Sequence, residues 1–216
     1  MTGEAVLREQ ICLLAKSMFD RGLTGGSTGN ISARTSDGGL LVSPTGTSFG
    51  QLDPARLSRF DQNGVLIDGD PPTKEMPLHT AFYDTRSTAG AVVHLHSCHS
   101  VALSMMPDVS ADNFLPALTP YAIMKLGKVK LLPFFLPGDP AMGDAVRGLA
   151  GKRSAVMLAN HGPVVAGKDV EAACNAIEEL EDTARLAMLT RDLSPCGLSD
   201  GDVARLVKTF DVEWDE

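Results

Sequence analysis

Three histidines lie where apolar strands are expected to end. His94 and His96 are separated by one residue at the end of an apolar stretch that begins at Ala91, and His161 follows the apolar stretch 155–159. Side chains at positions i and i+2 of a strand point to the same side, so His94 and His96 can reach one atom together. With His161 they form a set of three imidazoles, which is typical of a catalytic metal site, most often zinc. The alternative is that each histidine satisfies a turn at the end of a core strand.

A second group of segments has the composition of an anion site. Residues 25–30 and 43–48 form loops rich in Gly, Ser and Thr, whose backbone N–H groups can closely approach a ligand. Residues 72–74 precede an expected helix, whose N-terminus favours negative charge and where Lys74 adds a point charge suited to phosphate. The alternative is three ordinary turns, because Gly and Ser are common turn residues. None of these segments is a Walker A or dinucleotide fingerprint, so nucleotide binding is not indicated.

Four more side chains are candidates for such a site or for its support. Glu75 follows Lys74 directly, where its carboxylate is either an acid/base or a fourth metal ligand. His79 shares its helix face with Glu75 and is expected to orient a neighbour or to pack. His99 is expected in the turn after the first histidine strand, in a structural role. Tyr121 follows a proline in a segment expected to be irregular, where it is either a surface anchor or a proton donor.

The elements that must position these residues can be predicted from periodicity. A 3.6-residue apolar period predicts a first helix that ends near Gly22, and turn residues predict hairpins at 37–39 and 60–67. The other expected elements are a helix at 75–83, strands at 91–95 and 155–159, a long helix through Val170 to Ala184, and a last helix that begins at Ser199 or Asp200. Early hairpins followed by helices around strands indicate a mixed, largely antiparallel sheet covered by helices.

Composition limits the classes of protein that fit. The chain has 216 residues with 44% hydrophobic and 21% charged, which predicts one soluble domain over residues 1–216. A net charge of −8 disfavours nucleic-acid and anionic-membrane binding, and no apolar run approaches a membrane span. The four cysteines are scattered without CxxC spacing, which favours reduced thiols in the cytoplasm over a disulfide framework.

Five segments together resemble the class II aldolase/adducin family. They are residues 29–32, 43–46, 73–75, 94–96 and 160–162, and they occur in the order and at the approximate spacing of that family. The resemblance implies an α/β/α three-layer sandwich with a central, mainly antiparallel sheet. It also implies one zinc ion per subunit, although another divalent metal can take its place, and a homotetramer with active sites at the subunit interfaces.

The resemblance also assigns roles to individual residues. By their positions in the motifs of the family, His94, His96 and His161 bind zinc. Glu75 is the acid/base and, with the site empty, a further zinc ligand, whereas Tyr121 is a proton donor that reaches the site of a neighbouring subunit. The residues assigned to a substrate phosphate are Ser27, Gly29, Asn30, Thr45, Gly46, Thr73 and Lys74.

Within the family, residues 72–79, 118–127 and 132–139 resemble 3-oxo-tetronate 4-phosphate decarboxylases. Fuculose-phosphate aldolases carry Ser-Ser before the catalytic glutamate, where this chain has Thr73-Lys74, and ribulose-phosphate 4-epimerases carry aspartate at the Glu75 position. The resemblance therefore implies zinc-dependent decarboxylation of 3-oxo-tetronate 4-phosphate to dihydroxyacetone phosphate and CO₂ through a metal-stabilised ene-diolate.

Two other functions stay open from the sequence. A class II sugar-phosphate aldolase of the fuculose-phosphate type would use the same ene-diolate and the same three histidines. Adducin-type members act as non-catalytic oligomeric binding modules and have lost the metal histidines, whereas this chain keeps all three. The expected partners are a phosphorylated sugar-acid substrate and further copies of the chain.

Overall fold

A computed structural model describes residues 3–214, and in this range eight strands form one mixed sheet. In chain order they are β1 (Asn30–Arg34), β2 (Leu40–Val42), β3 (Ser58–Phe60), β4 (Leu66–Asp68), β5 (Ala91–His94), β6 (Lys130–Leu132), β7 (Ala155–Leu158) and β8 (Gly162–Gly167). Across the sheet the order is β4-β3-β2-β1-β5-β8-β7-β6. Neighbouring strands are antiparallel except β6 and β7, which are parallel. The predicted mainly antiparallel sheet is confirmed.

Helices cover both faces of this sheet. They are α1 (Gly3–Asp20), α2 (Met76–Thr85), α3 (Cys98–Ser104), α4 (Pro120–Leu126), α5 (Ala141–Arg147), α6 (Val170–Thr190) and α7 (Asp200–Phe210). Apolar side chains of α1, α3 and α6 are buried in the core on one face, and those of α2 and α5 are buried on the other. The result is the three-layer α/β/α arrangement that was expected. No helix among residues 3–214 is both long and apolar enough to cross a membrane.

The central strands alternate their side chains between the two cores. Val92 and Val164 pack with α2 and α5, whereas Val93 and Val165 pack with α1 and α6. All four are 0% exposed, and burying each contributes roughly 1.5–3 kcal/mol. Both faces of β5 and β8 are therefore packed against helices. This packing fixes the positions of His96, just after β5, and His161, just before β8.

Side-chain caps set the beginnings of the two C-terminal helices. The Asp169 carboxylate accepts a hydrogen bond from the backbone N–H of Ala172 at 2.7 Å and caps α6. Ser199 and Asp202 form a reciprocal capping box at the start of α7. Of the two residues expected to begin the last helix, Ser199 is therefore the N-cap.

The helices and hairpins predicted from periodicity are present, but three local predictions are wrong. β5 ends at His94, so His96 lies just beyond the strand and not on it. His99 was expected in a turn but is the second residue of α3, and Tyr121 was expected in an irregular segment but lies in α4. Helices of seven residues are too short to show an apolar period, which explains why both were missed.

Candidate active site

The end of β5 and the turn between β7 and β8 bring three histidines together. His94 is the last residue of β5 and lies opposite Asn30 on β1 and Val164 on β8. His161 is the last residue of the turn between β7 and β8. Asn160, just before it, has a φ of 58°, a left-handed conformation that asparagine tolerates. The imidazole centroids of His94, His96 and His161 are 4.7–5.0 Å apart. Residues 67 positions apart in the chain thus share one site.

The backbone of Pro163 fixes these two segments against each other. Its carbonyl oxygen accepts the backbone N–H of Leu95 at 3.2 Å and the Nδ1–H of His94 at 2.9 Å. A Cβ at the adjacent Gly162 would lie 2.0 Å from the Leu95 carbonyl oxygen, so only glycine permits this approach. Because a carbonyl only accepts, His94 carries its proton on Nδ1 and presents the Nε2 lone pair to the other histidines.

Glu75 supplies a carboxylate to the same place. It is the N-cap residue of α2 and is buried, with Oε2 3.4 Å from His94 Nε2 and Oε1 3.3 Å from His161 Nε2. Burial raises the pKa of Glu75, but the imidazoles of His161 and His94 and the amide of Asn30 lower it further, to below its usual range. The carboxylate is therefore ionised at neutral pH.

The four side chains fit a divalent cation. One donor atom from each of Glu75, His94, His96 and His161 lies within 4.8 Å of the others. Nδ1 of the buried His161 has no hydrogen-bond partner, and its Nε2 faces the Glu75 carboxylate at 3.3 Å without a well-formed hydrogen bond, a costly state that metal coordination would relieve. Burial lowers the pKa of His94 to about 3 and also lowers that of His96, so these rings are neutral at physiological pH, as metal ligands must be. Three imidazoles and a carboxylate are a donor set that zinc accepts.

A cleft of about 200 Å³ adjoins this centre. Its lining includes all seven residues that the family resemblance assigns to a phosphate: Ser27, Gly29, Asn30, Thr45, Gly46, Thr73 and Lys74. Two of the contributing loops are joined by backbone hydrogen bonds from Thr45 N–H to the Pro71 carbonyl at 3.0 Å and from Thr73 N–H to the Ser43 carbonyl at 3.3 Å. Three separate segments therefore form one wall of polar groups beside the histidines.

Glycine is required where the first loop meets the metal centre. Gly29 has a φ of +84°, and a Cβ there would lie 2.9 Å from the His94 carbonyl oxygen. Lys74 is exposed at the cleft, one residue before the N-cap of α2. Its position combines a positive side chain with the backbone N–H groups at the beginning of the helix.

Tyr121 does not lie at this site. It lies on α4 with 58% of its surface exposed and lines no part of the cleft. His99 is also outside the cleft, where its Nδ1 contacts the Glu181 carboxylate at 2.8 Å. The same carboxylate accepts the backbone N–H groups of His99 and Ser100, each at 2.9 Å, and so caps α3. His99 thus has a structural contact.

Two residues of the cleft were missed in the sequence. Pro137 and Gly138 line it next to Lys74, and Gly138 has a φ of +82°. A Pro-Gly pair predicts a turn. Nothing in the local sequence indicates that this turn lies beside Lys74, since the two positions are 64 residues apart.

The family model described as "Class II Aldolase and Adducin N-terminal domain" matches residues 9–188. An enzyme of Cupriavidus necator named 3-oxo-tetronate 4-phosphate decarboxylase is 43% identical over 99% of this chain and 100% of its own length. An L-fuculose phosphate aldolase of Methanococcus maripaludis is 34% identical over 85% of this chain and 96% of its own.

A solved structure shows the same fold. The crystal structure of YgbL from Escherichia coli superposes with a TM-score of 0.91 at 41% identity, over 94% of this chain and 98% of that one. The two named relatives are carbon–carbon lyases, and the histidines and carboxylate of the candidate metal centre are present here. The chain therefore belongs to the class II aldolase and adducin family and is a carbon–carbon lyase.

Proposed function

We propose that this protein is a zinc-dependent decarboxylase that converts 3-oxo-tetronate 4-phosphate to dihydroxyacetone phosphate and CO₂. The observation that carries the proposal is the position of the polar cleft, which contains Lys74 and adjoins the three histidines and Glu75. The 43% identity to a decarboxylase over the whole chain favours this substrate class. One site would thus hold a phosphate at one end and the reacting carbons at the other.

The chemistry requires an electron sink and a proton source. His94, His96 and His161 would hold the cation, which as a Lewis acid stabilises the negative charge that develops on the substrate oxygens. The bond between C1 and C2 breaks, CO₂ leaves, and the electron pair is shared between C2 and the C3 carbonyl. The ionised Glu75 carboxylate would position a water molecule that delivers a proton to C2, and the hydroxide left behind takes a proton from solvent. No base is needed to start this reaction, so Glu75 acts at protonation.

The walls of the cleft would position the substrate. Thr45, Thr73 and Lys74 offer hydroxyl groups and an ammonium group to a phosphate, and the loop through Gly29 offers backbone N–H groups. Binding energy from this remote group places C2 and C3 against the cation and so lowers the barrier. We assign Ser27, Asn30 and Gly46 to the same phosphate subsite.

We propose that the functional unit is a homotetramer with active sites at the interfaces between subunits. Tyr121, 58% exposed and outside the cleft of its own subunit, would reach the site of a neighbour and contact the departing carboxylate. Sedimentation is expected to give the mass of a tetramer at concentrations where the enzyme is active. A fully active monomer would exclude this arrangement.

We further propose that the family domain extends over residues 1–216. The family model matches 9–188, and α7, which lies beyond that match, packs against α4. Residues 1–2 and 215–216 lie outside the described part of the chain. The cysteines among residues 3–214 are all free, which favours a reducing compartment such as the cytoplasm.

The second candidate function is a fuculose-phosphate type aldolase, which the 34% identical relative favours. Offered 3-oxo-tetronate 4-phosphate and fuculose 1-phosphate separately, the enzyme is expected to act on the first with at least about tenfold higher kcat/KM, or ~1.4 kcal/mol of transition-state binding. CO₂ and dihydroxyacetone phosphate are the products to measure. A higher kcat/KM for fuculose 1-phosphate would replace the decarboxylase assignment with the aldolase. No turnover of either substrate would favour a non-catalytic module.

A further inference from the structure

We propose that His79 is a positioning residue for Glu75 and acts through the amide of Asn30. The inference rests on the proposed function, in which Glu75 acts at the protonation of C2. It adds a residue that lies outside the cleft. His79 is 0% exposed on the inner face of α2, and its hydrogen bonds go to Ser32 and Asn30 instead of to a candidate metal ligand.

A continuous chain of buried hydrogen bonds joins the core to the metal centre. The Tyr83 hydroxyl lies 2.9 Å from Ser32 Oγ, and Ser32 Oγ lies 2.7 Å from His79 Nδ1. His79 Nε2 lies 2.5 Å from Asn30 Oδ1, and Asn30 Nδ2 lies 2.7 Å from Glu75 Oε2. All five side chains are buried, so these groups depend on one another and not on solvent.

The direction of every bond in this chain follows from its two ends. Asn30 donates its Nδ2–H to Glu75 Oε2 and so turns its oxygen toward His79 Nε2. His79 must therefore donate from Nε2. Burial lowers the pKa of His79 to about 4, so the ring is neutral and its Nδ1 accepts the Ser32 hydroxyl proton. Ser32 Oγ in turn accepts from Tyr83, whose pKa burial raises.

His79 thereby supports the orientation of the Asn30 amide from the side of Oδ1, while Glu75 contacts Nδ2. If the amide were flipped, its oxygen would face the Glu75 carboxylate and its NH₂ group would face the N–H of His79. The first contact would place two acceptors together and the second two donors, so the Glu75 carboxylate and the N–H of His79 together exclude the flip. Glu75 Oε2 is held as a result, while Oε1 stays directed toward His161.

Packing alone does not explain these polar groups. His79, Ser32 and Tyr83 are buried, and Tyr83 belongs to the same core cluster as Leu78 and Phe82, where apolar side chains would avoid the cost of burying polar groups. A chain of donors and acceptors at this place has one consequence that apolar residues could not supply, which is a fixed orientation of Asn30.

Kinetics of paired variants test whether His79 acts through Asn30. His79→Leu is expected to lower kcat about 10–100-fold, which is the usual effect of losing a residue that orients a group of the site. KM and metal content are expected to stay within about threefold of the parent. His79→Gln, which keeps one donor and one acceptor, is expected to recover most of that loss. In an Asn30→Ala background, His79→Leu is expected to cause no further loss. An equal loss in both backgrounds would overturn the proposal.

The matched control is Thr183→Val, an isosteric change of another buried polar residue whose hydroxyl has no partner. It is expected to leave kcat within about twofold of the parent. The change removes a buried hydroxyl that makes no hydrogen bond, so the free energy of unfolding should change little. If Thr183→Val lowered kcat as much as His79→Leu does, a general effect on the core would replace the proposal.

Nitrogen NMR of the parent protein adds a measurement that is independent of activity. With ¹⁵N-labelled histidine, the His79 resonances, identified by their loss in His79→Gln, are expected to show a neutral ring protonated on Nε2. A neutral ring protonated on Nδ1 would overturn the inference, even if the decarboxylase assignment were correct. If the decarboxylase assignment failed instead, the same spectrum would still support or overturn the orientation of Asn30.

Discussion

Replacing His96 with alanine is expected to abolish metal binding and to lower kcat/KM at least about 1,000-fold, a loss of ~4 kcal/mol of transition-state stabilisation. The reason is geometric, because His96 Nε2 lies 3.1 Å from His94 Nε2 within the group of four donor atoms. His96 lies beyond the end of β5, so the change removes no sheet hydrogen bond. Metal analysis of the purified protein and a turnover assay measure both effects.

The matched control for this variant is His99→Ala, three residues further along the chain. His99 contacts Glu181 and not the metal centre, so the control is expected to keep its metal and most of its activity. The metal assignment would be wrong if His96→Ala kept stoichiometric metal and full turnover. The same substitutions at His94 and His161 are expected to give the same result as at His96, since each contributes one donor atom.

Lys74→Ala is expected to lower kcat/KM for the phosphorylated substrate by about 1.5–3 kcal/mol, the size of a hydrogen bond to a charged group. No hydrogen bond or ion pair engages the ammonium group among residues 3–214, so it is free to bind an anion in the cleft. The parent enzyme is expected to have low kcat/KM for 3-oxo-tetronate, which lacks the phosphate. Lys74→Ala is expected to change this low value little.

The comparison of the two substrates separates phosphate binding from general damage to the site. Lys16→Ala is a suitable control, because Lys16 lies on α1 and forms an exposed ion pair with Asp20. It is expected to leave kcat/KM unchanged for both substrates. Equal activity of the parent enzyme on phosphorylated and unphosphorylated 3-oxo-tetronate would show that the cleft does not bind phosphate.

Periodicity predicts the long helices of this fold and misses its seven-residue helices and the strand β8. α1 and α6 carry enough turns for an apolar stripe to be visible. β8 was not predicted, because its sequence begins Gly162-Pro163 and its first five residues are buried on both faces, so that no alternation is present. A proline also argues against a central strand, yet Pro163 is tolerated at the second position of β8.

The sequence allowed the types of residue at the site to be predicted, but not the hydrogen bonds between them. His94, His96 and His161 were identified because imidazoles at strand ends are unusual and their spacing has a geometric meaning. The hydrogen bond of Asn30 to Glu75 joins residues 45 positions apart, and its contact with His79 joins residues 49 positions apart. Such pairs depend on how β1 and α2 pack, which local sequence does not encode.

The contact between Gly162 and Leu95 restricts how this enzyme can change by evolution or in a designed library. Any side chain at position 162 would collide with the Leu95 carbonyl oxygen, which lies 2.0 Å from the site of a Cβ. Position 162, next to His161, is therefore restricted to glycine. Gly46, across the cleft, has no atom within 4 Å of a Cβ, although its φ of +71° still disfavours side chains. Altered substrate range must consequently arise at cleft positions without such a contact, with Gly29 and Gly162 left unchanged.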